Sequence, residues 1–584
     1  MSPTILLQHG RSFRKFHKPV RVVTAVSPQD VLPALVELET AVRAENLYAA
    51  GFIAYEAAAA FGLAVHAPLD GLPLLWFGLF DGFAETRQLP IANCQLPTVG
   101  VWQPAIDRAG YDAAIGQIKE HIAAGDTYQV NYTFPQHASF AGAPLAYFAQ
   151  LVAAQRASYA AYLDIGRFGI CSASPELFFT LDGTQLSSKP MKGTAVRGLT
   201  LAQDKANMAW LAQSEKNRAE NVMIVDMIRN DMGRVAEVGS VHVPQLFEVE
   251  RYPTLLQMTS TVQAQTRAPL SQIVANMFPC ASITGAPKVR TMQIIKELEP
   301  QPRGVYTGSI GFLAPDGSAQ FNVAIRTVLV DRERGQATYG VGSGIVWDSV
   351  AAEEYEECRV KSKVLTEKRP SFQLIETMLW QPDGGFFLLD QHLARLRDSA
   401  EYFGIGWEET AVLAELDLLC QSLTEPIKVR LLLGQDGRFT LETVPLSVGV
   451  RPDPVRVGLA QMPVNSQTVW LYHKTTRRDL YDAARASRPE CDDVLLHNER
   501  GELTEASSSN LALLLDGELV TPPIESGLLG GTFRSYLLKN PVGWQNPGGL
   551  PLREKVLAIA DLERCEGIFL LNSVRGWGTA VLIS

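Results

Sequence analysis

Two lysines stand in settings where an amine does more than carry charge. Lys192 lies in Pro190-Met191-Lys192-Gly193-Thr194, and Lys474 in Leu471-Tyr472-His473-Lys474-Thr475-Thr476. A lysine near a metal or other cations is neutral often enough to attack carbon, whereas the plain alternative is a surface turn. Acids form the second group. Glu220 follows Lys216-Asn217-Arg218-Ala219, and Glu353, Glu354, Glu356 and Glu357 crowd the segment after Gly342-Ser343-Gly344. One reading is a solvated helix face on which Glu357 and Lys361 pair at i,i+4. The other is a Mg²⁺ site with Glu220 and Glu357 as direct ligands and Glu354, one turn before Glu357, acting through water. Periodicity alone does not separate the two.

The elements that must position these residues fall into two halves. In the first, 160–165, 176–181, 308–312, 319–330 and 337–341 read as strands, with one or two helices over 200–230 and another over 351–365. Neighbouring strands joined by short turns imply largely antiparallel sheets flanked by helices, an α/β (α+β) arrangement. A polar stretch with a proline, 367–371, separates this half from a strand over 372–379. The expected domains are 1–366 and 372–584, with 367–371 as a short linker between closely tethered halves. The length of 584 residues requires more than one core.

Bulk composition narrows the classes. Hydrophobic residues make up 46% and charged ones 20%, the balance of a soluble globular protein. A net charge of -10 argues against a nucleic-acid or anionic-membrane partner. Apolar runs such as Leu511 to Leu515 are far too short to span a bilayer, and no leader pattern opens the chain. Seven cysteines without a CxxC pair fit reduced thiols and give no zinc site. A cytoplasmic enzyme is the expectation.

The order Ser174-Pro175-Glu176-Leu177, Pro190 to Thr194, Lys216 to Asp231, Gly285-Ala286-Pro287-Lys288 and Gly340 to Gly344 resembles the chorismate-utilising enzymes. That family includes anthranilate synthase, isochorismate synthase and aminodeoxychorismate synthase component I. The resemblance is strong over residues 110 to 365 and weak over 1 to 105, where Gly51-Phe52-Ile53-Ala54-Tyr55-Glu56 carries it. A lysine in the middle of Pro190–Thr194 implies the aminodeoxychorismate-forming type, with Lys192 as covalent nucleophile. The resemblance further implies Mg²⁺ on the ring carboxylate of chorismate, and Arg326 with the Gly342 backbone on the enolpyruvyl carboxylate. Tyr306, Gln257 and Ser282 are implied as further substrate contacts. Lys192 adds at C2 while a protonated Glu176 serves the departing C4 hydroxyl, and ammonia then replaces the lysine. Many relatives carry His where Gln257 stands; Gln donates a hydrogen bond but transfers no proton. No glutaminase segment is evident, so ammonia is expected from a separate glutamine amidotransferase subunit.

In the second half, Lys474 is followed by Thr504-Glu505-Ala506-Ser507-Ser508-Ser509-Asn510 and by Gly527-Leu528-Leu529-Gly530-Gly531-Thr532. From about 372 to 584 the chain resembles fold-type IV pyridoxal phosphate enzymes, a fold of two α/β subdomains. Branched-chain and D-amino-acid aminotransferases and aminodeoxychorismate lyase belong to that family. The resemblance implies Lys474 as cofactor anchor and catalytic base, Glu505 as partner of the pyridine nitrogen, and Arg395, Ser509, Asn510 and Thr532 around the phosphate. It also implies a homodimer formed through this domain. One departure is the absence of a Y-G-D-G-like strand ahead of Glu376-Thr377. Together the halves imply synthesis of 4-aminobenzoate, the first product being the second enzyme's substrate. A fusion to a true aminotransferase or to a non-catalytic scaffold remains the alternative.

Overall fold

The computed structural model describes residues 3–583 apart from 11, 92–93, 156, 367–370, 448–451 and 541–545. The chain forms two compact units. One comprises Met1–Val196 with Met208–Arg369, the other Arg197–Asn207 with Pro370–Ser584. The expected linker, apart from Ser371, lies outside the described residues.

The first unit is built on an 11-stranded and a 10-stranded sheet, and its described strand pairings are antiparallel. Alternation along the strands explains the layering. Ile5 and Leu7 join one core cluster, while Leu6 joins another. Likewise Ala50 and Phe52 share a cluster with Ile5 and Leu7, whereas Ala49 and Ile53 pack with Leu35 and Leu38 of the helix Pro28–Glu45. Each sheet therefore buries one face against the other sheet and the opposite face under helices, as the expected antiparallel sheets flanked by helices require.

The segment 319–330 corrects the single strand expected there. Ala319–Val323 belongs to the 10-stranded sheet and Thr327–Asp331 to the 11-stranded one. The chain changes sheets through 324–326, where Arg326 takes a left-handed φ of 51°. That conformation costs a non-glycine residue about 1–2 kcal/mol. The Arg326 carbonyl accepts from Ala173 N at 3.0 Å, which helps hold the corner. Since β-forming residues flank the corner on both sides, composition does not mark it.

In the second unit, Gln373–Gln381, Gly385–Phe386, Ile427–Gly434 and Phe439–Pro445 form a four-stranded antiparallel sheet. The helices Leu389–Phe403 and Glu409–Cys420 cover it through Leu393, Leu396, Val412 and Leu416. An eight-stranded mixed sheet follows; its Val455–Leu459 strand runs parallel to both neighbours. These are the two α/β lobes expected. The Lys474 segment is stitched to the first lobe by its main chain: the Lys474 carbonyl accepts from Ile375 N at 2.9 Å, and Thr476 N donates to the Gln373 carbonyl at 2.9 Å. Among the described residues no helix is long and apolar enough to cross a membrane.

Candidate active sites

A cavity of about 580 Å³ in the first unit is lined by Lys192, Glu176, Tyr306, Arg326, Gly342, Gln257, Ser282, Glu220, Glu354 and Glu357. All ten residues singled out in the N-terminal half thus meet in one place. Lys192 sits on the strand Met191–Val196, and three contacts fix that strand against its neighbours. Asn221, buried on the helix Glu215–Gly233, donates to the Lys192 carbonyl at 3.3 Å and accepts from Ser260 Oγ at 2.6 Å. Gln257 donates to the Gly193 carbonyl at 2.9 Å. Gly193 has a φ of 96° and Asn217 packs where its side chain would be. Gln257 therefore lines the cavity but has its amide engaged with the lysine turn.

The charges follow from burial and partners. Lys192 Nζ lies 3.6 Å from Glu220 Oε2. Glu176 is buried and receives a 2.6 Å hydrogen bond from Ser282 Oγ. Burial pushes its carboxyl up to about 7, against the weaker pull of Ser282, Lys192 and Lys361. Glu357 behaves otherwise. Burial opposes its charge, but Lys361, Lys192 and Arg326 more than offset that and keep it below its ordinary value. Lys361 donates to Glu357 at 2.6 Å and to the Gly342 carbonyl at 2.8 Å. The expected surface pair is thus also part of the cavity wall. Glu354 accepts from Ser349 Oγ at 2.7 Å. Among the described residues no group of three or more His, Cys, Asp or Glu is gathered as a self-sufficient metal site. Two carboxylates opening onto a cavity still suit Mg²⁺, which takes one or two from a protein and completes its shell with water and substrate oxygens. From sequence, Lys361 is legible only as an i,i+4 partner, not as part of the cavity, and Asn221 only as an ordinary helix polar residue.

The second unit holds a cavity of about 300 Å³ lined by Lys474, Glu505, Arg395, Ser509, Asn510 and Thr532, again every residue singled out there. Burial, then the nearby Arg395, pulls the Lys474 amine down to about 8. Glu505 is buried on Leu503–Ala506 and is pushed up to about 7 by desolvation. Tyr481 donates to it at 2.8 Å, Leu529 N at 3.2 Å and Asn510 at 3.3 Å. Arg395 donates to Glu376 from Nε at 2.9 Å and from Nη2 at 2.7 Å, and to the Gly530 carbonyl at 3.2 Å. His392 bonds the same carboxylate at 2.6 Å, and its other nitrogen lies 3.3 Å from Thr532 Oγ1. Burial works against the Glu376 charge, yet Arg395 and His392 bring it down to about 2. Glu376 thus ties Arg395 and Thr532 into one network, a role that nothing in its sequence position signalled.

A class of ligand fits this second arrangement. An amine with a lowered proton affinity faces a buried acid, and hydroxyls and an arginine gather near the start of the helix Thr532–Lys539. These are the needs of pyridoxal phosphate: an anchor, a partner for the ring nitrogen and a phosphate cradle. Gly531 belongs to the cradle, since a Cβ there would collide with Asn510 Oδ1.

Comparison with known proteins agrees. Residues 92–367 match the family model described as chorismate binding enzyme. An anthranilate synthase component 1 of Haloarcula marismortui is 36% identical over 341 residues, covering 51% of this chain and 67% of that protein. The chain belongs to the chorismate-binding enzymes. Aminodeoxychorismate synthase component 1 of Escherichia coli is 43% identical over 258 residues, 44% of this chain and 56% of its own. The chain spans about half the length of the curated aminodeoxychorismate synthases it matches. The structure of anthranilate synthase component I from Streptococcus pneumoniae superposes with a TM-score of 0.53 at 24% identity. It covers 63% of this chain and 92% of that one, and shows the same fold. Residues 373–583 match the class IV amino-transferase model, so this chorismate-binding enzyme carries a second, pyridoxal phosphate type of domain.

Two glycine substitutions test the cavities separately. A Cβ at Gly344 would lie 2.7 Å from Lys192 Nζ. Gly344→Ala is expected to lower chorismate consumption by about 10- to 100-fold while leaving the visible absorption of the second site intact. Gly531→Ala is expected to do the reverse, lowering cofactor content while sparing chorismate consumption. Chorismate turnover and the absorption spectrum of each purified variant check both.

Proposed function

We propose that the chain makes 4-aminobenzoate from chorismate, amination taking place in an N-terminal domain (1–366) and pyruvate release in a C-terminal one (372–584). The observation that carries this reading is the meeting of Lys192, a carboxyl poised near neutrality and two metal-competent carboxylates in one cavity. Relatives named aminodeoxychorismate synthase, at 41–43% identity, support the same product for the first step. The fusion supports the second step, because the first product is then the second domain's substrate.

In the first step, Arg326 takes the enolpyruvyl carboxylate of chorismate in a planar fork, beside the Gly342 backbone and Tyr306. Glu220 and Glu357 would hold Mg²⁺, with Glu354 behind a water, and the ion would neutralise the ring carboxylate. Lys192 Nζ forms a bond to C2 as the double bond shifts and the C4–O bond breaks. Glu176 gives its proton to the departing hydroxyl, which leaves as water. Ammonia then bonds to C4, the double bond shifts back, and the C2–N bond to Lys192 breaks. Gln257 keeps the lysine turn in register through Gly193, and Ser282 orients Glu176.

In the second step, pyridoxal phosphate when bound supplies the electron sink that makes a proton next to the amino group removable. Lys474 would anchor the cofactor, and its amine, which lines the cavity, is placed to take up the substrate's C4 proton. Its lowered proton affinity suits it to that exchange. Glu505 would keep the ring nitrogen protonated, and Arg395, Ser509, Asn510 and Thr532 would hold the phosphate. Elimination would break the bond between the ring carbon and the enolpyruvyl oxygen, the proton taken from C4 by Lys474 would pass to the enolpyruvate methylene to give pyruvate, and the ring would become aromatic. Ammonia comes from a separate glutamine amidotransferase subunit, the enzyme works in the cytoplasm, and a homodimer forms through the second domain.

Incubation of the pure chain with chorismate, Mg²⁺ and ammonium should yield 4-aminobenzoate and pyruvate by mass spectrometry. Glutamine should not replace ammonium until an amidotransferase is added. Amino exchange with 2-oxoglutarate without pyruvate release would overturn the lyase assignment in favour of an aminotransferase. Lys192→Ala should stop chorismate amination, and Lys474→Ala should accumulate aminodeoxychorismate with no pyruvate. Glu220→Gln or Glu357→Gln should raise the Mg²⁺ concentration for half-maximal amination by about tenfold or more and leave the lyase step alone. The acid Glu176 works only when protonated. Amination is therefore expected to fall as pH rises through about 7, a limb that Glu176→Gln removes together with most of the activity.

A further inference from the structure

The second unit contains a stretch that sequence order places in the chorismate-binding half. Arg197–Asn207, directly after the strand Met191–Val196, clusters with Pro370–Ser584. Several of its contacts meet at one aromatic ring. The Arg197 guanidinium lies 4.3 Å from the centroid of Tyr402, and its Nη2 donates to the Tyr402 carbonyl at 2.8 Å. The Tyr402 hydroxyl donates back to the Gly198 carbonyl at 2.7 Å. Asp204, with no exposed side-chain surface, accepts from Arg197 Nε at 2.8 Å and from Gly198 N at 3.0 Å. The stretch therefore holds Tyr402 by its face, its hydroxyl and its main chain, with the arginine charge neutralised out of water.

Tyr402 in turn packs on His473, their ring centroids 4.4 Å apart. His473 is buried, and its Nδ1 lies 2.9 Å from Ser399 Oγ. Burial brings its imidazole down to about 4, so it is neutral near pH 7 and packs as an aromatic ring. The next residue is Lys474. Its side chain enters the cavity, and its carbonyl is held from the other side by Ile375 N. Leu199 completes the contact by packing on the cluster of Leu471, Tyr472 and Tyr481, which brackets the lysine in sequence.

We infer that Arg197 is a positioning residue of the second site: through Tyr402 and His473 it sets the backbone, and hence the amine, of Lys474. The inference rests on reading that site as a pyridoxal phosphate site with Lys474 as anchor. A tether alone would need no such burial. Lys205 of the same stretch and Glu401 of the helix Leu389–Phe403, an exposed pair 3.2 Å apart, illustrate what a tether would use. The buried arginine stack is instead spent beside the one residue whose position matters most for the chemistry.

The test uses the full chain loaded with pyridoxal phosphate. Arg197→Ala is expected to lower the lyase kcat about tenfold or more with KM little changed. The pH midpoint of the visible absorption band is expected to shift by about half a unit or more, because the amine sits in an altered field. Arg197→Lys, which keeps the charge for Asp204 but lacks the planar face, should recover part of both. Tyr402→Phe removes only the hydroxyl bond to Gly198 and should shift both quantities in the same direction by less; it decides the matter should Arg197→Ala not fold. Lys205→Ala should leave both at parental values. Parental kcat and absorption midpoint in folded Arg197→Ala or, failing that, in Tyr402→Phe would overturn the inference, whatever happens to thermal stability. A shifted midpoint in an enzyme that proves to be an aminotransferase would uphold the positioning role and sink the lyase reading alone.

Discussion

The burial of Glu176, which is 4% exposed although it lines the cavity, is the constraint on which the chemistry of the first unit depends. A carboxyl moved from its ordinary range to about 7 has its ionised form disfavoured by on the order of 3 kcal/mol. The carboxyl sits just before the strand Leu177–Asp182, beside the corner at which the chain passes from one sheet to the other. Ser174, fully buried, accepts from Glu176 N at 3.2 Å and donates to the Val323 carbonyl at 2.6 Å. The turn bearing the acid and the strand leading to Arg326 are thereby one hydrogen-bonded unit. The dry environment and the placement of the arginine fork arise from the same join.

The second unit shows how a partner reverses the effect of burial. Glu176, Glu505 and Glu376 are all at most 4% exposed. The first two receive neutral donors, a serine hydroxyl in one case and a tyrosine with amide groups in the other, and desolvation prevails. Glu376 meets an arginine through two nitrogens and a histidine, and remains ionised down to about pH 2. Burial alone therefore does not mark an acid as a proton donor. Charge on the donor decides, and in this chain it separates the two acids that line the cavities from the one that holds an arginine in place.

Local motifs made the chemistry readable, whereas connections between motifs stayed hidden. Lys192 stands beside Gly193, which has a positive φ, and the glycine turn of the second cavity contains Gly531, where a Cβ would meet the side chain of Asn510. Such constraints leave a trace in the order of residues. The change of sheets at Arg326 leaves none, because Ala319–Val323 and Thr327–Asp331 read as one run of β-formers. Nor does the bond from His392 to Glu376, made between residues 16 positions apart on a helix and a strand. The antiparallel layers followed from turn spacing, but which strand belongs to which sheet depends on long-range pairing that no window of residues contains.

The membership of Arg197–Asn207 in the second unit has a consequence for biosynthesis. On the ribosome this stretch emerges before 208–369 and well before Pro370–Ser584, so its binding surface does not yet exist. Only after the final residues leave the exit tunnel does the unit acquire all of its parts. A gene cut at the joint would accordingly yield a C-terminal polypeptide with every residue proposed to hold pyridoxal phosphate but without the clasp on Tyr402. Coexpressing the two pieces would have to restore by diffusion what one chain supplies by connectivity.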